Sequence, residues 1–562
     1  MNKYYSKTNF NYNENDFSIN RKKTDLNIEF NRVAFIFFVF FTIYLIYSIH
    51  LLYLGSKASK VSNKNLSESI NPLHRTTIID INGNYLAKTV SSTDIGISPI
   101  EAINKEKLLL NLKYIFPKKN FNEIEKKLKI NKFFWIEKRV SDEKYEQLMK
   151  LGDKSIIAEK KIIRIYPQKN LFSHIIGQID SDNNGISGLE KSQNEILKNS
   201  KLPIQLTLDS DLQFLIRQEL LKFNTIFKTK GSGAVLMDIN NGEVLTLISL
   251  PDFDPNQREK IVDKNFINRI TKGVYELGSV FKTFTLAAAL KNKVINSETM
   301  FKNLENKISC AGREISEHDE LPKNLSAEQI LIRSSNIGAI RIAQRVGIEK
   351  YKSFLNSLKL FKTINFDLEE VGTPLPFKWG KCKLATASFG HGITTTPLQL
   401  ARAYAILGNG GYEIQPTILQ LKKSQGQKKQ IISQKTSTTI NKMLRKVVAN
   451  KEGTANFANI KGYEVGGKTG TALKSFNGVY TNKKLNTFVS LFPTSRPKYV
   501  LLVVLDEPKS APDFIYEFQN GYKHKGEKRN TSGWNTVVVT GKIIEKIGPI
   551  LAIKNLQAFN NF

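Results

Sequence analysis

The chain has 562 residues, of which 41% are hydrophobic and 10% aromatic. This length exceeds one compact core of ordinary size and this composition excludes wholesale disorder, so we expect two or more folded parts. The formal net charge is +32, but lysines are spread along the whole chain. This spread argues against a nucleic-acid-binding patch and favours a basic exterior that faces an anionic membrane or envelope polymer.

Residues 33–54 form an apolar segment without Asp, Glu, Lys or Arg, VAFIFFVFFTIYLIYSIHLLYL. Its length matches the ~20 residues that cross a bilayer and exceeds the ~7–15 residues of a signal-peptide core. We therefore predict one membrane-spanning helix, with a cleaved signal peptide as the alternative. Basic residues flank the segment on both sides, but large domains cross membranes largely regardless of charge. We expect residues 1–32 in the cytoplasm and the folded bulk outside it.

Residues 55–205 mix short β-rich runs with Lys- and Asn-rich helical stretches such as Asn122–Ile130. The run Thr76–Ile81 leads into an Asn-Gly turn signal and predicts a hairpin, and Ile162–Tyr166 predicts a further strand. This part is predicted to be an α+β domain.

A larger α/β domain is predicted at residues 206–550, followed by a C-terminal tail at 551–562. Its strands are predicted at Ala234–Asp238, Glu243–Leu250, Thr487–Phe492 and Tyr499–Leu505. Helical periodicity appears at Phe281–Leu290, Gln329–Val346, Leu398–Leu407 and Val537–Ile547. Because strands occur both early and late in this domain, we predict a sheet that is completed by segments distant in sequence.

The two cysteines, Cys310 and Cys382, have no metal-site spacing, so neither a structural zinc nor another metal is expected. Sequence separation alone does not say whether they pair. Our expectation is two separate buried thiols, with a disulfide as the alternative.

Three short motifs follow one another in the larger predicted domain: Ser279-Val280-Phe281-Lys282, Ser334-Ser335-Asn336 and Lys468-Thr469-Gly470. Ser-x-x-Lys also occurs at Ser141 and Ser495, but Pro497 is unsuited to a helix interior in the second of these. Ser279 follows a glycine and precedes a run of good helix formers, so it is predicted in the first turn of a helix. There Lys282 shares its face, and unpaired N–H groups can support a developing oxyanion.

A serine hydroxyl needs a base to become a nucleophile, and none of the six histidines is near these motifs in the sequence. Lys282 is the candidate base, and it must be neutral to accept a proton. Lowering its pKa from ~10.4 to about 7 requires burial and a second positive charge, which Lys468 is predicted to supply.

The segment Lys468-Thr469-Gly470-Thr471 follows a pair of glycines and contains the chain's one Lys-Thr-Gly sequence. On a strand, glycine lets a substrate backbone approach closely, and two hydroxyls with an ammonium group suit a ligand that carries a carboxylate. A glycine-rich turn without a ligand is the alternative.

These residues resemble the penicillin-binding proteins, which share the three motifs with serine β-lactamases. YELGSVFK at 275–282, FGHGITTTPLQLA at 389–401 and GGKTGTA at 466–472 look like the family's active-site segments. HRTTIIDINGNYLA at 74–87, RIYP at 164–167, HIIGQID at 174–180 and GISGLE at 185–190 resemble the non-catalytic pedestal of class B members. KTGTALK and GWNTVVVTGKIIEKI most resemble the FtsI-type division transpeptidases, although Leu277 replaces the usual proline and Thr76 a common glycine.

The resemblance implies a pedestal at 55–205 and a transpeptidase domain with a mainly antiparallel central sheet at 206–550. It implies no cofactor, a single-pass anchor in the bacterial inner membrane and a catalytic domain on the periplasmic side. Implied partners are stem peptides of lipid II-derived strands, β-lactam antibiotics, and glycan-polymerising and other division proteins.

The resemblance also implies a role for each motif residue. Ser279 would attack the penultimate D-Ala carbonyl of a stem pentapeptide, with Lys282 as base and Ser334 passing a proton to the leaving group. Asn336 would hold the substrate amide, and Lys468 would supply positive charge. Thr469 and Thr471 would bind the terminal carboxylate, with Gly470 also among the substrate-binding residues. The N–H groups of Ser279 and Thr471 would form the oxyanion hole.

The sequence alone leaves other functions open. An elongation-type transpeptidase would carry the same motifs. A β-lactamase needs a further base for deacylation and no pedestal, and a β-lactam sensor is expected to have several membrane spans. A non-catalytic division scaffold would not need all motif residues intact.

Overall fold

The computed structural model describes residues 23–60, 75–257, 266–310, 312–380, 382–420, 429–476, 479–518, 521–526 and 529–560. Most of the predicted cytoplasmic tail, the start of the predicted pedestal at 61–74, and residues 561–562 lie outside these ranges. The contacts divide the chain into two units, Met1–Pro72 and Leu73–Phe562.

The described part of the first unit is helix α1, Lys23–Lys60. Within it, Ala34–Tyr53 has a mean hydropathy of 2.2, and none of this stretch is buried against protein. Twenty helical residues span about 30 Å, the thickness of a bilayer's hydrocarbon core. Among the described residues this is the one helix long and apolar enough to cross a membrane, as the sequence predicts.

The second unit begins with a mixed group of short elements. In chain order they are β1 Ile78–Ile79, β2 Tyr85–Ile97, α2 Lys105–Ile115, α3 Phe121–Ile130, β3 Phe134–Val140, α4 Asp142–Met149, β4 Ile156–Ile165, α5 Ser173–Ile176, β5 Gln178–Ile179, β6 Gly185–Ser187, α6 Gly188–Ser192, α7 Asn194–Asn199 and β7 Ile204–Gln205. β2 pairs antiparallel with β1, β3 and β4, and β1 pairs parallel with β7.

The predicted hairpin at the start of this region is present as β1 and β2. Asp80 stabilises its turn, because one carboxylate oxygen accepts the N–H groups of Asn82 at 2.9 Å and Asn84 at 2.8 Å. The α2–α4 helices and the facing half of β2 enclose a small apolar core of their own, and the remaining elements join the larger core of the chain.

The larger region contributes most of the core. Its elements are α8 Ser210–Phe227, β8 Gly231–Asp238, β9 Val244–Leu250, β10 Tyr275–Glu276, α9 Lys282–Lys291, β11 Met300–Phe301, β12 Lys307–Cys310, β13 Arg313–Ser316, β14 Leu325–Ser326, α10 Ala327–Ile332, α11 Asn336–Val346, α12 Ile348–Ser357, α13 Lys383–Ser388, β15 Thr394–Thr395, α14 Pro397–Gly408, α15 Gln434–Ala449, β16 Gly466–Phe476, β17 Val479–Phe492, β18 Tyr499–Asp506, β19 Ile515–Glu517, β20 Lys523–Lys525 and α16 Thr536–Asn560.

The central sheet has the order β16-β17-β18-β8-β9, and every pair in it is antiparallel. Every residue of β18 is buried, so both faces of the sheet are covered, and α8, α14 and α16 contact it. Early strands therefore pair with strands more than two hundred residues later, as the sequence predicts. The predicted flanking helices are present, and α16 continues to Asn560, through most of the segment predicted to be a tail.

Two sequence-based expectations are wrong. The single helix predicted at Gln329–Val346 is two helices, because Ser334 has a φ of +60°, which an α-helix cannot contain. The two cysteines are not separate thiols: Cys310 and Cys382 form a disulfide, because the end of β12 and the start of α13 bring their Cα atoms to 5.8 Å.

Candidate functional site

Ser279 lies in a short 3-10 turn, Gly278–Phe281, that leads directly into α9. The preceding Gly278 has a φ of +63°, and a Cβ atom there would lie 2.7 Å from the Thr471 carbonyl oxygen. A glycine is therefore required for the turn to approach β16. This contact brings the backbones of Ser279 and Thr471 close together, as an oxyanion hole built from their N–H groups requires.

The first two motifs meet through Lys282 and Ser334. Lys282 is fully buried one turn after Ser279, and its Nζ lies 3.1 Å from Ser334 Oγ and also donates to the Ser334 carbonyl oxygen. Burial lowers the pKa of Lys282 to about 7, although the negative charge of Glu317 opposes this shift. A large fraction of Lys282 can therefore be neutral near neutral pH, as a general base must be.

The third motif adds a second buried lysine on the other side of Ser334. Lys468 lies on β16, and its Nζ is 2.9 Å from Ser334 Oγ and 3.1 Å from Thr469 Oγ1. Burial and repulsion by Lys282 lower its pKa well below the ordinary range. One hydroxyl thus bridges two amines, so a proton can pass between Lys282, Ser334 and Lys468.

The Lys-Thr-Gly segment lies on the central sheet beside the Ser279 turn. A Cβ atom at Gly470 would lie 2.2 Å from the Leu277 carbonyl oxygen, so glycine permits the strand to pack there. Thr469 Oγ1 contacts Thr454 Oγ1 at 2.9 Å, and Thr471 Oγ1 accepts the Ser532 N–H at 3.0 Å. Both threonine side chains line an opening beside β16.

These residues border one cleft of about 910 Å³. Ser279, Ser334, Thr469 and Thr471 line it. The two lysines are buried behind Ser334, so the cleft presents hydroxyl groups while the two amines lie underneath. The fold brings the three motifs to one opening, and the roles of nucleophile, base and carboxylate-binding hydroxyls remain predictions.

Asn336 is placed differently from the other predicted residues. It is buried at the start of α11, and its side-chain amide donates to the Ser316 carbonyl oxygen at 2.9 Å. In this conformation the amide nitrogen holds a neighbouring backbone segment. Binding of a substrate amide by Asn336 remains a prediction.

Sequence reasoning missed the charged residues that surround the motifs. Glu317 and His318 line the cleft, although every histidine is distant from the motifs in sequence. The pKa of His318 is lowered by burial and by the positive charge of Lys282. Arg333 and Glu452 also line the cleft and form an ion pair with each other. No local sequence pattern connects these residues with Ser279, because chain folding alone brings them together.

Comparison with known families agrees with this geometry. The family model described as the penicillin binding protein transpeptidase domain matches residues 232–525. The model described as the penicillin-binding protein dimerisation domain matches residues 70–218. Together they cover the mixed region and most of the larger region, including all three motifs.

Several relatives match over most of their length. The probable peptidoglycan D,D-transpeptidase FtsI of Caulobacter vibrioides is 29% identical over 499 residues, which are 85% of this chain and 82% of the relative. The peptidoglycan D,D-transpeptidase FtsI of Buchnera aphidicola is 32% identical over 421 residues, 68% of this chain and 72% of the relative. Stage V sporulation protein D of Bacillus subtilis is 30% identical over 497 residues, 78% of this chain and 75% of the relative.

A solved structure has the same fold. Penicillin binding protein 3 of Mycobacterium tuberculosis, in complex with aztreonam, matches with a TM-score of 0.66 over 86% of this chain and 96% of that one, at 22% identity. The cleft, the three motifs and the two family matches lead to one assignment. This chain belongs to the penicillin-binding proteins, with a dimerisation domain followed by a transpeptidase domain.

Proposed function

We propose that this chain is a peptidoglycan D,D-transpeptidase of cell division, which cross-links stem peptides of the septal wall through an acyl-serine intermediate. The observation that carries this proposal is the Ser334 hydroxyl, which contacts buried Lys282 at 3.1 Å and buried Lys468 at 2.9 Å beside the cleft that holds Ser279. The names of the relatives support the substrate class.

The first half of the proposed reaction forms the acyl-enzyme. Ser279 Oγ attacks the carbonyl carbon of the penultimate D-Ala, and its proton passes to Lys282 Nζ. The N–H groups of Ser279 and Thr471 stabilise the oxyanion. The bond to the terminal D-Ala then breaks, and its nitrogen takes a proton from the Ser334 hydroxyl, which regains one from Lys282.

The second half transfers the peptide. An amine of a neighbouring stem peptide attacks the ester carbonyl, loses a proton to the same lysine–serine group, and releases Ser279 as a hydroxyl. Thr469 and Thr471 hold the terminal carboxylate of the donor, and Gly470 allows its backbone to approach β16. Asn336 is assigned to the substrate amide, which requires its side chain to leave the Ser316 carbonyl.

A β-lactam antibiotic is proposed to acylate Ser279 in the same way and to remain attached. Hydrolysis of that ester would need a free base beside the cleft. Glu317 accepts two hydrogen bonds from the second motif and one from the Ile337 N–H, and Glu452 is paired with Arg333. These two carboxylates are engaged, whereas Asp319 and His318 also line the cleft, so turnover of the bound drug is what distinguishes a transpeptidase from a β-lactamase.

The proposed placement in the cell rests on α1. We assign residues 33–54 to a single span of the bacterial inner membrane, residues 1–32 to the cytoplasm, and residues 55–550 to the periplasm. Residues 55–205 act as the pedestal and 206–550 as the catalytic domain, with 551–562 at the C-terminal end. Glycan-polymerising and other division proteins are the proposed partners, because a transpeptidase needs newly made strands.

The test uses the full chain in detergent with uncross-linked lipid II-derived glycan strands. We expect cross-linked muropeptides and free D-Ala by liquid chromatography with mass spectrometry, and neither product with Ser279→Ala. Wild-type protein that yields D-Ala without cross-links would be a carboxypeptidase, and wild-type protein that yields neither product would contradict the proposed activity.

A further inference from the structure

The carboxylate of Glu317 is bound to the start of α11, the helix that follows the second motif. One oxygen accepts the Ser335 hydroxyl at 2.6 Å and the Ile337 N–H at 2.9 Å, and the other accepts the Asn336 N–H at 2.7 Å. The first N–H groups of a helix have no partner within it and carry partial positive charge. Glu317 therefore caps α11 from a segment that lies outside the helix.

Ser334 stands between this cap and the end of α10. Its φ of +60° is one that residues with a side chain rarely adopt, so neighbouring contacts must hold it there. The Ser334 N–H donates to the Leu331 carbonyl oxygen at 3.2 Å, and this hydrogen bond ties Ser334 to the end of α10. On the other side, the next two residues are held by Glu317.

Glu317 is itself fixed by the hairpin of β12 and β13, which it follows directly. These two strands pair with each other and with no other strand in the described part of the chain. An isolated two-stranded hairpin is only marginally stable, so further contacts must hold it. The Cys310–Cys382 disulfide joins one end of the hairpin to α13, and Asn336 binds the Ser316 carbonyl at the other.

We propose that Glu317 is a positioning residue for acyl transfer, whose carboxylate holds the Ser334–Asn336 turn so that the Ser334 hydroxyl stays between Lys282 and Lys468. This inference rests on the proposed function. The hydrogen bonds of Glu317 go to this turn and not to Ser279, so it acts through the turn it binds. The reacting geometry depends on this contact because Ser334 Oγ must reach two amines at once.

The charge of Glu317 gives the proposal a readout that general loss of structure would not produce. The charged and titratable groups that face Lys282 are Lys468 on β16, together with Glu317 and His318 after β13. Glu317 raises the pKa of Lys282 against the effect of burial. Removing this negative charge therefore lowers that pKa further, and the acidic limb of the acylation profile moves to lower pH.

The test measures the rate of acylation of the full chain in detergent by a fluorescent penicillin between pH 5.5 and 9. For Glu317→Gln we expect a plateau rate roughly tenfold or more below wild type, since hydrogen bonds to a charged group are lost, and a midpoint at lower pH. Glu317→Asp keeps the charge and should recover part of the rate with the midpoint near that of wild type.

The matched control is Glu314→Gln, the same chemical change on the same hairpin. Glu314 is exposed and pairs with Lys307 at 3.2 Å instead of with the motif. We expect a wild-type rate and midpoint. Thermal unfolding of each variant separates loss of fold from loss of rate.

The inference would be overturned by wild-type kinetics for Glu317→Gln, or by a fall in rate equal for Glu317→Gln and Glu314→Gln. A folded Glu317→Gln protein that is slow but keeps the wild-type midpoint would also contradict it. In each case acylated wild-type protein leaves the proposed function intact. Wild-type protein that is never acylated would instead contradict the proposed function.

Discussion

At the scale of single residues, the site depends on two lysines that the fold removes from water. Lys282 and Lys468 are both fully buried, and no carboxylate pairs directly with either amine in the described chain. Burial disfavours the charged form of both lysines, and the positive charge of Lys282 further lowers the pKa of Lys468. The protein thereby obtains a lysine that can accept a proton from serine.

This arrangement predicts the pH dependence of acylation. In the proposed mechanism the neutral form of Lys282 is the base, so the rate constant for acylation by benzylpenicillin should fall as the pH drops through about 7. The measurement is a stopped-flow rate profile from pH 5.5 to 9 on the full chain. A rate that does not change between pH 6 and 8 would contradict Lys282 as the base.

The motif residues could be predicted because each motif is local and chemically distinctive. Ser279 and Lys282 share a helical turn, and Lys468 precedes a glycine on a strand, so sequence spacing carries the information. Glu317 could not be predicted in the same way. It lies eighteen residues before Ser335, and only the path of the hairpin brings them together.

At the scale of elements, the second motif lies in a break between helices. Apolar periodicity continues from α10 into α11 and predicts one helix, because periodicity reports which face is buried and not where the backbone turns. Ser334 leaves the helical conformation, and Ser335 begins the next helix by accepting the Gly338 N–H at 2.9 Å. This break places the Ser334 hydroxyl between the two lysines.

The disulfide is expected to stabilise the fold. Seventy-two residues separate Cys310 and Cys382, and in the chain-entropy account a crosslink over a loop of that size stabilises a fold by about 4 kcal/mol. The double variant Cys310→Ser/Cys382→Ser should therefore unfold at a lower temperature by scanning calorimetry.

Thiol labelling supplies the control for this prediction. Denatured wild-type protein purified without reductant should bind no maleimide until it is reduced. Two reactive thiols in the unreduced wild-type protein, together with an unchanged unfolding temperature in the double variant, would show that the bond does not form.

At the scale of the whole molecule, the central sheet joins segments from both ends of the larger region. β8 pairs with β18, and the alternation of apolar runs and turn residues predicted both strands. The sequence also indicated the helices that flank them. The pairing of the cysteines and the cap on α11 could not be predicted, because they depend on contacts between segments distant in sequence.

The mixed region at residues 75–205 contains a buried charged group that joins separate segments. Glu190 pairs with Arg75 and, at 2.8 Å, with Arg164, and all three side chains are almost completely buried. Their stretches of chain lie up to 115 residues apart. An ion pair of this kind constrains how the segments pack, since either partner alone would leave an unpaired buried charge.

Removing the carboxylate should therefore destabilise the protein strongly. Glu190→Ala is expected to cost about 3–5 kcal/mol, because two guanidinium groups remain buried without a counter-ion. The control is Glu159→Ala, which removes an exposed ion pair with Lys161. Thermal unfolding should show a large decrease for the first variant and little change for the second. Equal unfolding temperatures would contradict a stabilising role for the buried group.

The central claim is that Ser279 carries the acyl group, and intact-protein mass spectrometry tests it most directly. The full chain in detergent is incubated with benzylpenicillin beside Ser279→Ala, and the adduct is mapped by proteolysis. We expect one stable covalent adduct on the peptide that contains Ser279, and none in the variant. An adduct on another residue, no adduct, or rapid release of hydrolysed drug would contradict it.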